Sequence, residues 1–444
     1  MSTNSEKGFK NLNNNDTKQR TGTSNWKTYF LLLKSFVGTG SLLLPSAFHK
    51  GGLVFSVILI VIFGLYSYWC YFIIIKLKTK VKANTFQEIG NNILGRWMSY
   101  VILGSLVLTQ IGFSSAYIIF VGENFNQVVY NMTNYECNII YPILFQLGFN
   151  FAMSFISRME VLTIPAVIAN VLIICGIILV ISYSLHHLIL ISDKKSDPGV
   201  MLFFNSNEWT LFIGTAIYAF EGVGLLIPIH NNMSSPKDFP KILLLVMLTM
   251  SIIFILIGTC GYLSYGEKIK VIILQSFAPG IFVNIIIVCF TIGILLSTPL
   301  QLFSLTSLLE DFLFTKKKIA VADEDLKVLE ESDILCSESD TEAQGTKHIN
   351  LRVYKIILRF LIVTTVCLIG YITSDKLNKL VAIVGSLACI PLVYIYPPLL
   401  NLYECSLPGI IKNNWSILPF VFDLFLIISG LCGMMYTSYR SVIL

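Results

Sequence analysis

Apolar runs of about 20 residues recur from one end of this 444-residue chain to the other, and each is long enough to cross a hydrocarbon layer roughly 30 Å thick. Eleven can be drawn, at 28–48, 52–75, 98–123, 139–157, 161–182, 210–230, 241–263, 280–306, 354–373, 378–401 and 417–440. Their Ile, Leu and Phe follow one another without the polar alternation of a barrel strand, so the spans read as helices. With 55% hydrophobic and 13% charged residues, the chain has too little polar surface for a soluble domain of this length. The expectation is an all-α polytopic membrane protein with 11 transmembrane helices.

The connections orient the spans. Residues 1–27 are polar, lack the apolar stretch of a cleavable signal, and read as a disordered cytosolic tail. With that tail inside, 22 Lys and Arg fall on cytosolic connections against 8 on the other face, the bias of a cytosolic N-terminus, with the C-terminus lumenal or outside. Asn131-Met132-Thr133 then reads as a glycosylation acceptor in a noncytosolic loop, and 183–209 as another such loop. Phe86, Ile89, Ile93 and Leu94 stand at helical spacing and predict a short interfacial helix. Residues 310–353 carry too much charge for a core and read as a mobile cytosolic linker. The ten cysteines form no CxxC pair, so neither a metal site nor a disulfide framework is expected.

Two spans are interrupted. Gly38, Thr39 and Gly40 sit inside the first, and the sixth, GTAIYAFEGVGLLIP, holds Gly214, Thr215, Gly222, Gly224 and the acidic Glu221. Glycine costs a buried helix about 1 kcal/mol, and unwinding there leaves amide and carbonyl groups without partners, at several kcal/mol each. A break is tolerable where something polar sits against it. The two interrupted spans begin equivalent blocks of five, 28–182 and 210–401; an odd number of spans per block gives the blocks opposite orientation, the arrangement in which paired half-helices build a midplane site. Exposed N–H groups at a half-helix start suit a carboxylate, and exposed carbonyls at a half-helix end suit an ammonium. An amino acid carries both. The 417–440 segment is an eleventh helix outside the two repeats.

At these residues the chain resembles the amino acid/auxin permease family, in particular its fungal-type vacuolar and related proton-coupled amino acid transporters. The stretches that carry the likeness are LLLKSFVGTGSLLLPSAFHKGG at 31–52, GTAIYAFEGVGLLIPIHNNM at 214–233, GYLSYGEKIKVIILQSF at 261–277, LLSTPLQLFSLTSLLE at 295–310 and GSLACIPLVYIYPPLLNL at 385–402. The resemblance implies a five-plus-five inverted-repeat, LeuT-like core of the APC superfamily. It further implies export of neutral amino acids from a vacuole or lysosome, with protons as the coupling ion and no cofactor. By the same resemblance Gly38, Thr39 and Gly40 hold the substrate carboxylate, and Phe220, Glu221 and Gly222 lie in the sixth-helix break. Related carriers pair two noncytosolic cysteines, whereas Cys137 is the single clear candidate here. The expected partners are an amino acid and the lipid bilayer, with no nucleic acid.

Other side chains carry two readings each. Thr39 and Ser41 offer hydroxyls either to a ligand or as local caps. Tyr218 and Phe220 are gate aromatics or ordinary packing. Glu221 is an acceptor for unwound N–H groups, a proton carrier, or a ligand for the substrate ammonium. Lys34 either snorkels or supplies an internal cation. His49 and His230 sit near helix ends where a bound proton could vary with pH. Ser297 and Thr298, before Pro299, could contribute to a sodium site or answer the proline's freed carbonyl. Three function classes stay open on the residues alone: an amino acid transporter, a carrier of another small solute such as a polyamine or inorganic ion, and an amino acid receptor with little flux. No HExxH, nucleophile motif or phosphate loop points to an enzyme.

Overall fold

The computed structural model describes residues 23–156, 159–193, 199–331, 340–406 and 417–443. The first expected span is two helices, α1 (Asn25–Phe36) and α2 (Thr39–Gly51), bent by 52° across the extended Val37-Gly38 pair. Gly52, at φ +87, reverses the chain into α3 (Leu53–Val81), a conformation that residues with a Cβ rarely adopt. α3 shows two stripes. Ile60, Gly64, Ser67, Tyr71, Ile74 and Lys78 are buried at heptad-like spacing, while Ile58, Ile62 and Leu65 are exposed as a lipid-facing strip.

The expected interfacial helix is α4 (Phe86–Leu94), started by Thr85, whose hydroxyl accepts from the Glu88 N–H at 3.2 Å. The Glu88 carboxylate accepts in turn from the Asn84 N–H at 2.7 Å, the reciprocal pattern that satisfies orphan donors at a helix start. Then follow α5 (Arg96–Thr133), α6 (Ile140–Ser154) and α7 (Met159–Asp193). The sixth span is again two pieces, α8 (Trp209–Phe220) and α9 (Val223–Asn231), separated by Glu221 and Gly222. α10 (Phe239–Tyr265), α11 (Ile281–Glu331) and α12 (Asp340–Ile372) lead to a tenth span made of α13 (Leu377–Val384), two π-helical stretches at Gly385–Cys389 and Pro391–Ile395, and α14 (Tyr396–Asn401). α15 (Ile417–Ile443) closes the chain.

Three expectations change in detail. Among the described residues nine stretches are long and apolar enough to cross a membrane, ten with the bent α1–α2 pair counted as one. The fourth expected span is the difference: α6 has 15 residues and reaches about 22 Å at a rise of 1.5 Å per residue. Asn131 belongs to the last turn of α5 and not to a loop, and its Nδ2 donates to Asn284 Oδ1 at 2.7 Å. Helical backbone continues through α11 to Glu331 and resumes at Asp340 in the segment read as a linker; residues 332–339 lie outside the described residues.

The broken helices sit against a frame of long ones. α11 packs on both α5 and α7, while α8 lies against α2 and α13. The α8–α13 junction is backbone against backbone: a Cβ on Gly214 would come within 2.6 Å of the Ala382 carbonyl, and one on Gly385 would overlap the Gly214 carbonyl. Small residues allow this approach where side chains would hold helices apart.

Candidate functional site

Both breaks open on one cavity of about 100 Å³. The first contributes Lys34, Ser35, Phe36, Val37, Gly38, Thr39 and Gly40 to its wall, and the second contributes Tyr218, Ala219, Glu221, Gly222, Gly224 and Leu225. The opposite wall comes from the frame, with Gln110, Phe113 and Tyr117 on α5, Asn170 and Ile173 on α7, and Ser297, Leu300 and Gln301 on α11. Gly38 starts α2, so the first N–H groups of that half-helix have no partner within it, and the last carbonyls of α1 are in the same position. The chamber therefore has main-chain donors and main-chain acceptors on one side and neutral polar side chains on the other.

Local hydrogen bonds hold the breaks open. Ser41 donates its hydroxyl to the Gly38 carbonyl at 2.8 Å. The Thr39 and Tyr218 hydroxyls meet at 3.3 Å, a direct link between the first and second breaks. Glu221, 7% exposed, accepts from the Val223 N–H at 3.2 Å and so caps the start of α9. The most complete bridge comes from α3. The Tyr71 hydroxyl donates to the Phe220 carbonyl at 2.7 Å and accepts from the Gly222 N–H at 3.1 Å, satisfying one orphan group on each side of the gap.

The glycines at the breaks are explained by proximity. Gly38 is extended, at φ −151, and a Cβ there would stand 3.0 Å from the Tyr117 hydroxyl. A Cβ on Gly40 would stand 3.0 Å from the Ala219 backbone, and one on Gly222 would overlap the Phe36 ring. α2 thus meets the α8 backbone directly at Gly40, while the Phe36 ring of α1 lies against Gly222.

Of the residues singled out in the sequence, Lys34, Gly38, Thr39, Gly40, Tyr218, Glu221, Gly222 and Ser297 line this chamber. Five do not. Ser41 turns to the Gly38 carbonyl. Phe220 points away, its ring T-shaped against Phe254 at 5.0 Å, so the aromatic walls are Phe36, Phe113, Tyr117 and Tyr218. Thr298 is fully buried and bonds back to the Ile294 carbonyl at 2.8 Å, as Ser297 does to Gly293 at 2.9 Å; the proposed sodium pair is divided between chamber and packing. His49 lies near the far end of α2 beside Tyr262. His230, near the end of α9, accepts or shares a proton with Lys78 Nζ at 2.8 Å through Nδ1.

Sequence reasoning missed Tyr71, Gln110, Tyr117, Asn170 and Gln301. The amides were legible as polar groups deep in apolar spans, where such residues face the protein interior. Tyr71 had no comparable signal, because it stands among aromatic and aliphatic neighbours in a run that is apolar all round.

Residues 21–443 match the family model described as transmembrane amino acid transporter protein. The chain belongs to the transmembrane amino acid transporter family. Within it, the chain is similar to vacuolar amino acid transporter 4 of Saccharomyces cerevisiae, 42% identical over 95% of this chain and 58% of that protein. Vacuolar amino acid transporter 3 of Schizosaccharomyces pombe is 36% identical over 94% and 58%. This family member therefore spans 58% of the length of those yeast relatives. A substrate-bound, outward-open Na+-coupled sialic acid symporter has the same fold, at a TM-score of 0.51 and 12% identity, covering 96% of this chain and 89% of that one.

Proposed function

We propose that this chain carries neutral amino acids across a vacuolar or lysosomal membrane toward the cytosol by alternating access, coupled to protons. The observation that carries the reading is the convergence of both helix breaks on a single chamber. The start of α2 presents N–H groups to the substrate carboxylate, and the last carbonyls of α1 present acceptors to its ammonium. The half-helices close around these two ends while the rest of the bundle rocks against α5, α7 and α11 to expose the site on the other face. One carboxyl group, Glu221, and one ammonium, Lys34, stand in the wall, which favours a substrate without net charge. Glu221 is the proton carrier in this scheme, since a titratable group at the α9 start senses both solute and backbone. The vacuolar location follows the names of the yeast relatives, and the direction toward the cytosol rests on the resemblance to vacuolar exporters alone.

Purified protein in sealed vesicles tests this. Radiolabelled neutral amino acid accumulates when a pH gradient is imposed, and collapsing the gradient removes the accumulation. Gly38→Leu, which drives a side chain into the Tyr117 hydroxyl, abolishes uptake while the protein remains inserted. Normal uptake in that variant would overturn the role of the first break, and saturable binding without flux would assign the chain to receptors.

A further inference from the structure

The frame wall of the chamber contains one side-chain pair that the backbone-recognition scheme leaves unused. Gln301 Nε2 on α11 donates to Gln110 Oε1 on α5 at 2.6 Å. Each glutamine amide has a carbonyl with two lone pairs and an NH2 with two donors, and this single bond consumes a small part of that capacity. The Gln110 NH2 and the Gln301 carbonyl make no other hydrogen bond among the described residues. Both residues line the cavity. Gln110 is 5% exposed and Gln301 is half-buried, so the free ends of the pair face the chamber.

The pair also stands beside the second break. Gln110 Nε2 would stand 3.3 Å from a Cβ on Gly224, two residues beyond Gly222 in the second break. The Gln110 amide therefore adjoins the first turn of α9, and both glutamines share one chamber with the main-chain groups assigned to the zwitterion. Gly224 itself adds no side chain to fill that space. The wall here presents a donor and an acceptor side by side, fixed by their mutual bond. Exchanging oxygen and nitrogen in both amides leaves the same inventory, one free NH2 and one free carbonyl.

We propose, resting on the reading of this chamber as the transport site, that the Gln110–Gln301 pair is the side-chain selector and favours amino acids whose side chain ends in a carboxamide. A carboxamide gives its carbonyl to the Gln110 NH2 and its own NH2 to the Gln301 carbonyl. A carboxylate side chain offers acceptors only and meets the Gln301 carbonyl with repulsion. An aliphatic or thioether side chain of the same length covers both groups of the pair without giving them a partner, and sites built to hydrogen-bond a substrate group discriminate strongly against analogues that lack it.

The test compares glutamine with methionine, of similar length, and asparagine with leucine, as competing substrates in the vesicle assay. Wild-type protein takes up the carboxamide member of each pair at least tenfold more efficiently. Gln301→Met lowers that ratio at least fivefold, through loss of carboxamide preference. A readout that needs no variant is thermal stabilisation of the purified protein, which glutamine raises more than methionine at equal concentration. Uptake of both members at equal efficiency by wild type, or an unchanged ratio in Gln301→Met, overturns the selector role while leaving the transport reading intact. Wild-type protein that neither binds nor moves any amino acid overturns the transport reading, and the selector with it.

Discussion

The Tyr71 hydroxyl uses its donor and one acceptor position on a single gap, between the Phe220 carbonyl and the Gly222 N–H. Both backbone groups are buried, and an unmet buried group costs about 1–3 kcal/mol. Tyr71→Phe keeps the ring, which packs at 5.6 Å from Phe36, and removes only the two hydrogen bonds. Its expected effect is a lower thermal midpoint in detergent together with slower uptake; an unchanged midpoint would show that other groups satisfy the break. Residue-level legibility followed chemistry. Gly38, Gly40 and Glu221 stood out because each is out of place in an apolar run. Tyr71 did not, being one of 20 tyrosines with a role that depends on a helix some 150 positions away. Phe220 was misleading for a related reason: its neighbour Glu221 marks the break, and it is the Phe220 carbonyl, not the ring, that takes part.

Helix junctions show a second kind of dependence on what is missing. α8 and α13 meet through Gly214 and Gly385 with carbonyl oxygens in the space where side chains would stand. Gly385→Ala is expected to part these helices, giving a large loss of folded, monodisperse protein. Gly433→Ala on α15, where a Cβ meets nothing within 4 Å, is the matched control and should behave as wild type; equal yields for the two would contradict the close approach. The sequence marked Gly214 as a flexible point in the sixth span, and the partner glycine was visible only as part of a family-like stretch. The π-helical turns that follow Gly385 were not legible either. Pro391 lacks an N–H and so frees a carbonyl in this span, but the local widening of the helix depends on how α13 packs.

At the scale of the molecule, the start of α1 is fastened to the turn after α9. The Thr23 N–H donates to the Asn232 carbonyl at 2.7 Å, the Ser234 N–H to the Thr23 carbonyl at 3.1 Å, and Asn25 Nδ2 to Asp238 Oδ2 at 3.1 Å. Thr23→Pro removes the first donor and the hydroxyl that also reaches Asn232. Amide hydrogen exchange at 232–238 should then quicken about tenfold, the equivalent of about 1.4 kcal/mol; unchanged protection would mean that the two half-helices hold together without this clasp. Paired interruptions one five-span block apart made the fold legible, because few architectures tolerate two breaks in a bilayer. The short α6 and the helical extension of α11 were not, since hydropathy reports what a segment tolerates and not where its helix stops. Tyr71 and Lys78, two turns apart on α3, hold the beginning and the end of α9. That half-helix is thus hydrogen-bonded at both ends to α3, which at 29 residues is a rod about 43 Å long. Both ends of the second broken half-helix are therefore referenced to one continuous rod, so the position of α3 sets how wide the gap at Glu221 and Gly222 stands.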